Sequence, residues 1–283
     1  MAIPFLKMHG LGNDFVVIDA REELHDLTEI QIRALADRRR GIGCDQLITI
    51  EEPQEGGDAL VRFFNSDGSE TGACGNGSRC VAALLMSENG RETVRLETQG
   101  GLLGCAVAGD GLIVVDMGRP RLEWEEIPLA ERMDTRRIDV KIGPIDKPFL
   151  FGPAAVSMGN PHAVFFVDNV AAYDLEKLGP LVENHPMFPE RTNVEFAEIR
   201  SRTAIRLRVW ERGAGVTQAC GTGACATLVA AVRRDLTDRR ADIELDGGVL
   251  GVEWRASDDH VLLTGPVAAV YQGLIEPQDL GIR

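Results

Sequence analysis

The sequence predicts an α+β fold built from two similar halves, and three observations support this prediction. The stretch ACGNGSRC at 73–80 returns as ACGTGAC at 219–225. In each half, short strands rich in Val, Ile, Leu and Phe accompany one apolar helix, with Gly-Gly and Gly-Asp turns between strands. Matching residues keep a nearly constant offset. We therefore expect two pseudo-symmetric halves, each a mostly antiparallel or mixed sheet wrapped around a central apolar helix.

The internal repeat extends over most of the chain. Polar and cysteine residues recur at offsets of 147 or 146 positions: Asn13 with Asn160, Gln46 with Asn193, Asn65 with Glu211, and Cys74 with Cys220. The change from 147 to 146 indicates that the two copies slip by one residue between the second and third matched positions. A duplication is the simplest explanation of this pattern.

The repeat also suggests the domain organisation. Residues 1–125 form the N-terminal half and residues 145–265 form the C-terminal half, while residues 126–144 connect them and 266–283 complete the first half. If each half presents one helix N-terminus, pseudo-twofold packing brings the two Ala-Cys-Gly turns face to face across a cleft. We expect the active site in that cleft.

Two apolar helices carry the repeated motifs. The run from Cys80 to Met86 is apolar nearly all round, which is typical of a helix buried within its own sheet, and Gly90 is a suitable stop. The second helix is apolar through Val232 and then becomes charged. Its far end is therefore expected to reach solvent, and its near end to be buried.

Charge and hydropathy exclude several classes of function. The 283 residues include 44 acidic and 30 basic side chains, a net charge of −14 that repels nucleic acid and anionic bilayers. No apolar run approaches the roughly 20 residues of a membrane span, and the N-terminus does not resemble a signal peptide. We expect a cytoplasmic protein that binds neither nucleic acid nor membrane.

The six cysteines of a cytoplasmic chain are expected to be free thiols. Structural zinc is disfavoured, because the Cys-x5-Cys and Cys-x4-Cys spacings of the two motifs do not match the short C-x2-C pattern. Buried apolar filling is the expectation for four of the thiols: Cys44, Cys80, Cys105 and Cys225.

Cys74 and Cys220 differ from the other cysteines because each lies where a helix is predicted to begin. A helix N-terminus offers unpaired N–H groups and partial positive charge, so it binds carboxylates and stabilises a thiolate. We expect the pKa of both thiols to be lowered toward neutrality, where one group can serve as base and as acid. Two such groups on opposite faces of a carbon can invert a stereocentre.

Removing an amino-acid α-proton requires stabilisation of the resulting carbanion. Pyridoxal phosphate would need a lysine Schiff base and a phosphate-binding loop. None of the lysines considered lies in a glycine-rich phosphate loop: Lys7, Lys141, Lys147 and Lys177. Backbone donors at the two helix starts are the alternative, since preorganised donors on a carboxylate can each be worth about a hundredfold in rate. No cofactor is expected.

Six blocks of sequence together resemble the diaminopimelate epimerase family. They are MHGLGNDFVVID, GIGCDQL, FFNSDGSETGACGNGSRC, MGNPHAVFFV, TNVEF and WERGAGVTQACGTGAC, in this order between residues 8 and 225. The repeated Gly-Gly strands extend the likeness to about residue 265. The resemblance implies a cofactor-independent isomerase that interconverts LL- and meso-diaminopimelate, in the route to lysine and peptidoglycan, and that forms a homodimer.

The resemblance also implies roles for individual residues. Cys74 and Cys220 would be the two bases, with backbone donors to the reacting carboxylate at Gly75, Asn76, Gly221 and Thr222. Seven further positions match substrate contacts of the family: Asn13, Gln46, Asn65, Asn160, Asn193, Glu211 and Arg212. Adjacent Glu211 and Arg212 can pair with the ammonium and carboxylate groups of such a substrate.

Two positions concern the tuning of the site. His162 matches a family position near the first cysteine, where it could help to tune protonation together with Glu211; a structural histidine is the alternative. Val216 departs from the family pattern, in which an acidic residue is common at this place, and this puts contacts around the second cysteine in doubt.

Three other functions are compatible with parts of the sequence. A proline racemase or hydroxyproline epimerase shares the two-thiol logic, but it usually has His where this chain has Asn76, and Glu211 with Arg212 favours a longer zwitterionic substrate. A redox sensor could use Cys74 and Cys220 as a reversible disulfide. A nucleotide-binding loop is disfavoured, because Ser-Arg stands where Lys-Ser/Thr is required.

Overall fold

The computed structural model describes residues 2–23, 25–72, 74–144 and 146–276. Ala73 of the first motif and residues 277–283 of the expected C-terminal completion lie outside this description. The chain divides into two compact units. Unit 1 extends to Val115 and includes the segment that begins at Thr264, and unit 2 runs from Asp116 to Leu263.

The elements are numbered along the chain. The strands are β1 (Ile3–Gly10), β2 (Asn13–Asp19), β3 (Gln46–Glu51), β4 (Ala59–Asn65), β5 (Glu70–Thr71), β6 (Thr93–Thr98), β7 (Gly101–Val107), β8 (Ile113–Asp116), β9 (Lys141–Ile142), β10 (Leu150–Phe151), β11 (Ala154–Ser157), β12 (Pro161–Phe166), β13 (Asn193–Ser201), β14 (Ala204–Glu211), β15 (Gly215–Thr217), β16 (Arg240–Leu245), β17 (Gly248–Trp254), β18 (Val261–Gly265) and β19 (Ala268–Ile275). The α-helices are α1 (Glu29–Ala36), α2 (Gly75–Asn89), α3 (Leu175–Glu183) and α4 (Gly221–Arg233). Among the described residues, no helix combines the length and apolar character needed to cross a membrane.

Unit 1 is a mixed sheet around α2. β1 pairs antiparallel with β2 and β19, β2 runs parallel to β3, and β4 pairs antiparallel with β3 and parallel with β6. β6 and β7 continue the sheet as an antiparallel pair. α2 contacts β1, β2, β6 and β7. The helix is therefore enclosed by its own sheet, as the sequence predicts.

The bounds of α2 follow from its end residues. Cys74 has extended backbone and caps the first turn, because its sulfur accepts from the Gly77 N–H. Gly90 adopts the left-handed conformation at φ 63° and donates its N–H to Met86, which confirms the predicted stop. Between the caps, the side chains from Gly75 to Ala82 are buried.

Unit 2 repeats this architecture around α4. β12 pairs antiparallel with β11 and parallel with β13, while β14 pairs antiparallel with β13 and parallel with β16. β17 pairs antiparallel with β16, and α4 contacts β11, β12, β13, β16 and β17. Residues 126–144, expected to connect the halves, add Ile127, Ile138 and Val140 to the buried core of this unit.

The strand registers confirm the duplication. In unit 1 Phe15 pairs with Gln46, and 147 positions later His162 pairs with Asn193 in the same parallel arrangement. The same holds further along: Ala59 pairs with Leu96, and Ile205 pairs with Ile243. These registers include the one-residue slip, because residues 59 and 205 are 146 apart while residues 96 and 243 are 147 apart. The two halves therefore share backbone topology as well as sequence.

The far end of α4 reaches solvent gradually. Its near end is buried, as predicted, but Arg233 and Arg234 at the far end are only partly exposed. Arg233 Nη2 donates to Thr135 Oγ1 at 2.9 Å, and Arg234 Nη2 donates to the Gly152 carbonyl at 2.7 Å. The predicted exposure is reached at Asp235, whose side chain is 92% exposed, while the two arginines before it satisfy backbone and hydroxyl acceptors of the preceding segment.

Candidate active site

The first candidate group is built on Cys74 at the start of α2. The thiol is half-buried, and its sulfur accepts from the Gly77 N–H at 3.4 Å. The sulfur also lies 4.0 Å from Asn13 Oδ1, at the start of β2. Asn13 Oδ1 accepts from Asn76 Nδ2 at 3.1 Å, so one amide oxygen faces the thiol and the first turn of the helix. Cys74 is thus a helix cap, as the sequence predicts.

The side chain of Asn76 is oriented by a hydrogen bond from a buried arginine that sequence reasoning missed. Arg79 is fully buried, and its Nη2 donates to Asn76 Oδ1 at 2.8 Å. Gly10 of β1 makes room for this side chain, since a Cβ there would lie 3.1 Å from Arg79 Nη2. A buried arginine three residues after Asn76, about one helical turn, fixes the direction of the Asn76 amide.

Asn13 is oriented by a charged cluster on its other side. Its Nδ2 donates to Asp45 Oδ2 at 2.9 Å, while Arg38 bridges Asp45 and Asp14 at 2.7 and 2.5 Å. Lys7, which is buried, donates to Asp14 and to the Gly43 carbonyl. A carboxylate only accepts hydrogen bonds, so Asp45 must take the Asn13 N–H2 end and leave its oxygen toward Cys74.

The cluster also shifts the ionisation of Asp14. Burial by itself raises the pKa of this carboxyl, but hydrogen bonds from Arg38 and Lys7 outweigh burial and lower the pKa to about 2. Asp14 therefore stays charged at neutral pH. The cluster supports the Asn13 end of β2 as a fixed ionic framework.

Gln46 and Asn65 form a second polar pair in unit 1. They face each other in the β3–β4 register, with Gln46 Nε2 donating to Asn65 Oδ1 at 3.0 Å. Asn65 Nδ2 donates to Ser69 Oγ at 3.1 Å. The amide oxygen of Gln46, Oε1, is buried and has no hydrogen-bond partner in the described part of the chain. An unsatisfied buried acceptor is suited to an ammonium donor.

The second candidate group is built on Cys220 at the start of α4. The sulfur accepts from the Gly223 N–H at 3.4 Å and lies 3.6 Å from Thr222 Oγ1. Cys220 is buried, whereas Cys74 is half-buried. The neighbouring carboxyl of Glu211 accepts from Thr217 Oγ1 at 2.5 Å.

The expected lowering of the thiol pKa is wrong for Cys220. Burial raises the pKa of this thiol well above its ordinary value, and the negative charges of Glu211 and Glu195 raise it further. Hydrogen bonds from Thr222 and Gly223 only partly offset these effects. Helix starts stabilise thiolates, but desolvation beside two carboxyl groups is the larger effect here.

Glu211 is perturbed in the same direction. Burial raises the pKa of its carboxyl, and the hydrogen bonds from Thr217 and Cys220 lower it by less. The thiol and the carboxyl therefore disfavour being ionised together. Such a pair is suited to a group that must exchange one proton in each direction.

His162 lies on β12 and is fully buried. Its Nδ1 is 2.6 Å from Glu195 Oε1, and its Nε2 is 2.9 Å from Asn160 Oδ1. Asn160 Nδ2 donates to Thr222 Oγ1 at 3.3 Å. Burial raises the pKa of the Glu195 carboxyl. Sequence reasoning missed Glu195, and the only signal available was its position inside the TNVEF block.

Asn193 and Arg212 are linked to each other through the backbone. Asn193 Oδ1 accepts from the Arg212 N–H at 2.9 Å, and Asn193 Nδ2 donates to the Pro161 carbonyl at 2.9 Å. Arg212 Nη1 donates to the Glu190 carbonyl at 2.8 Å. The Asn193 amide thus joins the ends of β12, β13 and β14, and this places Glu211 and Arg212.

Val216, the departure from the family pattern, belongs to the packing of unit 2. It lies on β15 opposite Trp210 of β14 and contacts the buried apolar core of this unit. The apolar side chain is therefore accommodated by the core rather than by the polar groups around Cys220.

The remaining cysteines are buried core residues, as predicted: Cys44, Cys80, Cys105 and Cys225. Burial raises the pKa of Cys44 to about 11 and that of Cys80 to about 12. Both thiols are therefore unreactive at neutral pH. Across the described ranges, no three His, Cys, Asp or Glu side chains are grouped so that they could hold a metal ion.

Comparison with a solved structure identifies the fold. The solved structure of a hydroxyproline epimerase from Agrobacterium vitis superimposes with a TM-score of 0.71 at 17% sequence identity, over 99% of this chain and 95% of that chain. At this identity the likeness shows the fold alone. The chain therefore has the duplicated α+β fold that an amino-acid epimerase also has.

Comparison of sequences identifies the family. The family model described as Diaminopimelate epimerase matches residues 5–123 and 154–270. The diaminopimelate epimerase of Caulobacter vibrioides (strain NA1000 / CB15N) is 58% identical over 280 residues, covering 96% of this chain and 97% of that protein. The one from Phenylobacterium zucineum (strain HLK1) is 56% identical over 273 residues, covering 96% and 98%. The chain belongs to the diaminopimelate epimerase family, which confirms the resemblance seen in the sequence blocks.

Proposed function

We propose that this chain interconverts LL- and meso-2,6-diaminopimelate by a two-base mechanism in which Cys74 and Cys220 are the acid–base groups. Family membership, at 58% identity over nearly the whole chain, carries the reaction and its place in lysine biosynthesis. The observation that supports the two residues is their equivalent position: each caps an apolar helix, and each sulfur accepts a backbone N–H.

The proposed reaction exchanges one proton for another. The ionised sulfur removes the α-proton and the electron pair of the C–H bond stays on carbon. The opposite thiol then gives its proton to the other face, so the stereocentre inverts and the two sulfurs exchange protonation states. In the reverse direction the sulfurs exchange roles. Both groups must return to their starting forms before the next turnover in the same direction.

Backbone donors stabilise the charge that develops on the substrate. We assign this role to the N–H groups of the first turns of α2 and α4, at Gly75, Asn76, Gly221 and Thr222. Donors at a helix start are fixed in direction and favour negative charge, so they stabilise a carboxylate whose α-carbon becomes a carbanion. This contribution requires no electron-sink cofactor.

The remaining contacts to the substrate recognise a long, doubly zwitterionic molecule. We assign them to Asn13, Gln46, Asn65, Asn160, Asn193, Glu211 and Arg212. The unsatisfied Gln46 Oε1 supports this assignment in unit 1. In unit 2, Glu211 supplies an acceptor and tunes Cys220, while His162 tunes the site through Asn160.

The test is proton NMR of LL-diaminopimelate in D2O with the reduced protein and no added pyridoxal phosphate or metal. We expect meso product with deuterium at the inverted carbon, while the early unreacted substrate keeps its proton. No exchange under reducing conditions would overturn the substrate assignment, and proline and hydroxyproline would then be assayed in the same way. Exchange into unreacted substrate without inversion would contradict the two-base mechanism.

The redox alternative is tested with the same sample. Oxidation that joins Cys74 to Cys220 should abolish epimerisation, and a reductant should restore it. A redox sensor would instead need the disulfide for its function, whereas the disulfide inactivates an epimerase. A homodimer and a cytoplasmic location are further proposals from the family, and sedimentation analysis tests the first.

A further inference from the structure

A continuous chain of hydrogen bonds connects a buried carboxyl group with the sulfur of Cys220. Glu195 Oε1 lies 2.6 Å from His162 Nδ1, and His162 Nε2 lies 2.9 Å from Asn160 Oδ1. Asn160 Nδ2 donates to Thr222 Oγ1 at 3.3 Å, and that oxygen lies 3.6 Å from Cys220 Sγ. Glu195 and His162 are fully buried, so no water competes for their hydrogen bonds.

The direction of these hydrogen bonds follows from the chemistry of the groups. The amide oxygen of Asn160 can only accept, so the Nε2 atom of His162 must carry a proton. The remaining nitrogen, Nδ1, faces Glu195, and one proton lies between them. This holds for an imidazolium beside a carboxylate and for an imidazole beside a carboxylic acid. In both forms Nε2 remains a donor, and the Asn160 amide keeps one orientation.

The fixed amide determines the direction of the last hydroxyl. Asn160 presents its Nδ2 end, so Thr222 Oγ1 accepts from it. An oxygen that accepts from an amide keeps its own proton for another acceptor. The neighbouring acceptor is Cys220 Sγ, at a distance compatible with an O–H donor to sulfur.

We propose that Glu195 is a positioning residue that acts on Cys220 through this hydrogen-bond chain. The chain passes through His162 and Asn160, and it directs the Thr222 hydroxyl toward the sulfur. This role rests on the proposed function, because it supports Cys220 in the direction in which that residue acts as the base.

The surroundings of Cys220 explain why such a donor is needed. Glu211 of β14 and Glu195 of β13 both disfavour a negative sulfur, and burial does the same. The Gly223 N–H and the Thr222 hydroxyl are the groups that favour it. A hydrogen bond to a charged group changes an equilibrium by about 10- to 100-fold, so the loss of one donor from a buried thiolate is expected to be measurable.

Glu195 is also built into the helix start itself. A Cβ added at Gly223 would lie 2.9 Å from Glu195 Oε1 and 3.2 Å from Cys220 Sγ. The carboxyl, the glycine and the sulfur are therefore in close packing. The second oxygen, Glu195 Oε2, is buried without a hydrogen-bond partner among the described residues. An incompletely satisfied carboxyl at this place is costly unless it serves another group.

The first experiment measures the thiol without turnover. In the Cys74→Ala background, the rate of Cys220 alkylation is followed against pH by mass spectrometry. Thr222→Val should move the inflection to higher pH and lower the rate near pH 8 by about 10-fold or more. Thr222→Ser, the matched control, should restore both. An unchanged inflection in Thr222→Val would overturn the proposal, whether or not the parent protein epimerises diaminopimelate.

The second experiment asks whether Glu195 acts through Thr222. With Cys74 present, kcat and KM are measured for Glu195→Leu, which removes both carboxyl oxygens, for Thr222→Val and for the double variant. A shared chain predicts that each single variant lowers kcat more than it changes KM. It also predicts that the double variant falls no more than about twofold below Thr222→Val. If the kcat losses of the two single variants multiplied in the double variant, the two residues would act independently. That result would overturn the proposed hydrogen-bond chain.

Glu198→Leu controls for loss of folding. Glu198 is a buried glutamate on the same strand. Its Oε2 accepts from the Val170 N–H, and it takes no part in the hydrogen-bond chain from Glu195 to Cys220. This variant should leave the Cys220 inflection unchanged. A loss of kcat equal to that of Glu195→Leu would overturn the assignment of a specific role to Glu195. If the parent protein has no activity, the proposed function is wrong. The alkylation experiment still tests whether the hydrogen-bond chain acts on the Cys220 thiol.

Discussion

Cys74 and Cys220 occupy the same place in the two halves, yet their surroundings differ. At both positions the sulfur accepts the N–H three residues later, at 3.4 Å. Cys74 is half-buried and faces an amide oxygen, whereas Cys220 is buried beside Glu211 and Glu195. The comparison teaches that duplication preserved the backbone cap, while side chains from other strands made the two thiols chemically unequal.

The two matching asparagines show the same divergence. Asn13 gives its Nδ2 to Asp45 and turns its oxygen toward Cys74. Asn160 turns its oxygen toward His162 and gives its Nδ2 to Thr222. One half thus presents an acceptor toward the helix start, and the other presents a donor. An ionic cluster supports the first orientation, and a buried His–Glu pair supports the second.

The largest expected effect comes from removing either sulfur. Cys74→Ala and Cys220→Ala should each lower kcat by about 10^3-fold or more, because each removes an acid–base group. Loss of the cap should cost only about 1 kcal/mol of folding free energy. Deuterium incorporation and thermal unfolding measure the two effects. Cys105→Ala, in the buried face of β7, is the control that should keep activity. A single variant with a tenth of the parent rate would contradict the equal need for both thiols.

The ionic cluster behind Asn13 should contribute to stability in a pH-dependent way. Asp14→Asn leaves the buried Lys7 without its carboxylate and should destabilise by about 3 kcal/mol at pH 7. Because the folded-state pKa of Asp14 is lowered to about 2, its contribution is fully present above about pH 5 and is lost as the pH falls toward 2.

Urea denaturation at pH 7 and pH 3 measures this dependence. The difference between Asp14→Asn and the parent should be smaller at pH 3. Glu29→Gln is a suitable control, since its pair with Arg33 is exposed and 3.9 Å long, and it should change stability by less than about 0.5 kcal/mol. A difference that grows on acidification would show that another group controls the stability of the cluster.

Gly77 and Gly223 sharpen the comparison, because they are equivalent glycines with different neighbours. A Cβ at Gly77 would lie 2.8 Å from the Phe63 ring and 2.9 Å from Ile48 Cδ1. Gly77→Ala should therefore lower the free energy of unfolding by about 2 kcal/mol through overpacking. Gly223→Ala meets Glu195 and the Cys220 sulfur, and it should lower kcat by up to about 100-fold by displacing the sulfur.

Chemical denaturation and steady-state kinetics of both alanine variants test this difference. Gly109→Ala is the control, because nothing lies within 4 Å of a Cβ there. If Gly77→Ala lost activity without losing stability, and Gly223→Ala the reverse, the proposed contrast between the halves would be wrong.

The smallest expected effect is a difference in thiol reactivity. With one catalytic cysteine replaced at a time, Cys74 should be alkylated about tenfold faster than Cys220 at pH 8, because burial and two carboxyl groups raise the pKa of Cys220. The rate at Cys220 should still rise above pH 9. Glu211→Gln removes one of these charges and should move the Cys220 inflection to lower pH. Equal profiles for the two thiols would contradict their inequality.

Much of the fold could be predicted from local patterns. The helix caps at Cys74 and Cys220 and the stop at Gly90 depend on a few consecutive residues, and the structure has them where the sequence predicts them. The duplication could be predicted as well, because the same offset relates residues and strand registers. The hydrogen bonds of the arginines at the far end of α4 could not, since Arg233 finds its acceptor at Thr135, far away in the sequence.

The site was predicted less completely than the fold. The sequence indicated the capping thiols and their glycines, because helix starts have a local signature. It did not indicate Asp45, Arg79 or Glu195, which act on other candidate residues rather than standing in a recognisable motif. It also predicted the wrong direction of the Cys220 pKa shift, because desolvation depends on strands β13 and β14 that approach only in the folded chain.

The sequence by itself determined the duplication, the two helix-start thiols and the family, since these depend on residue identity and spacing along the chain. Only the tertiary structure decided which end of Asn13 and Asn160 faces each thiol, and that the Cys220 thiolate is disfavoured. The physical reason is that hydrogen-bond direction and desolvation are set by neighbours in space. Asp45 lies 32 residues from Asn13, and Glu195 lies 33 residues from His162.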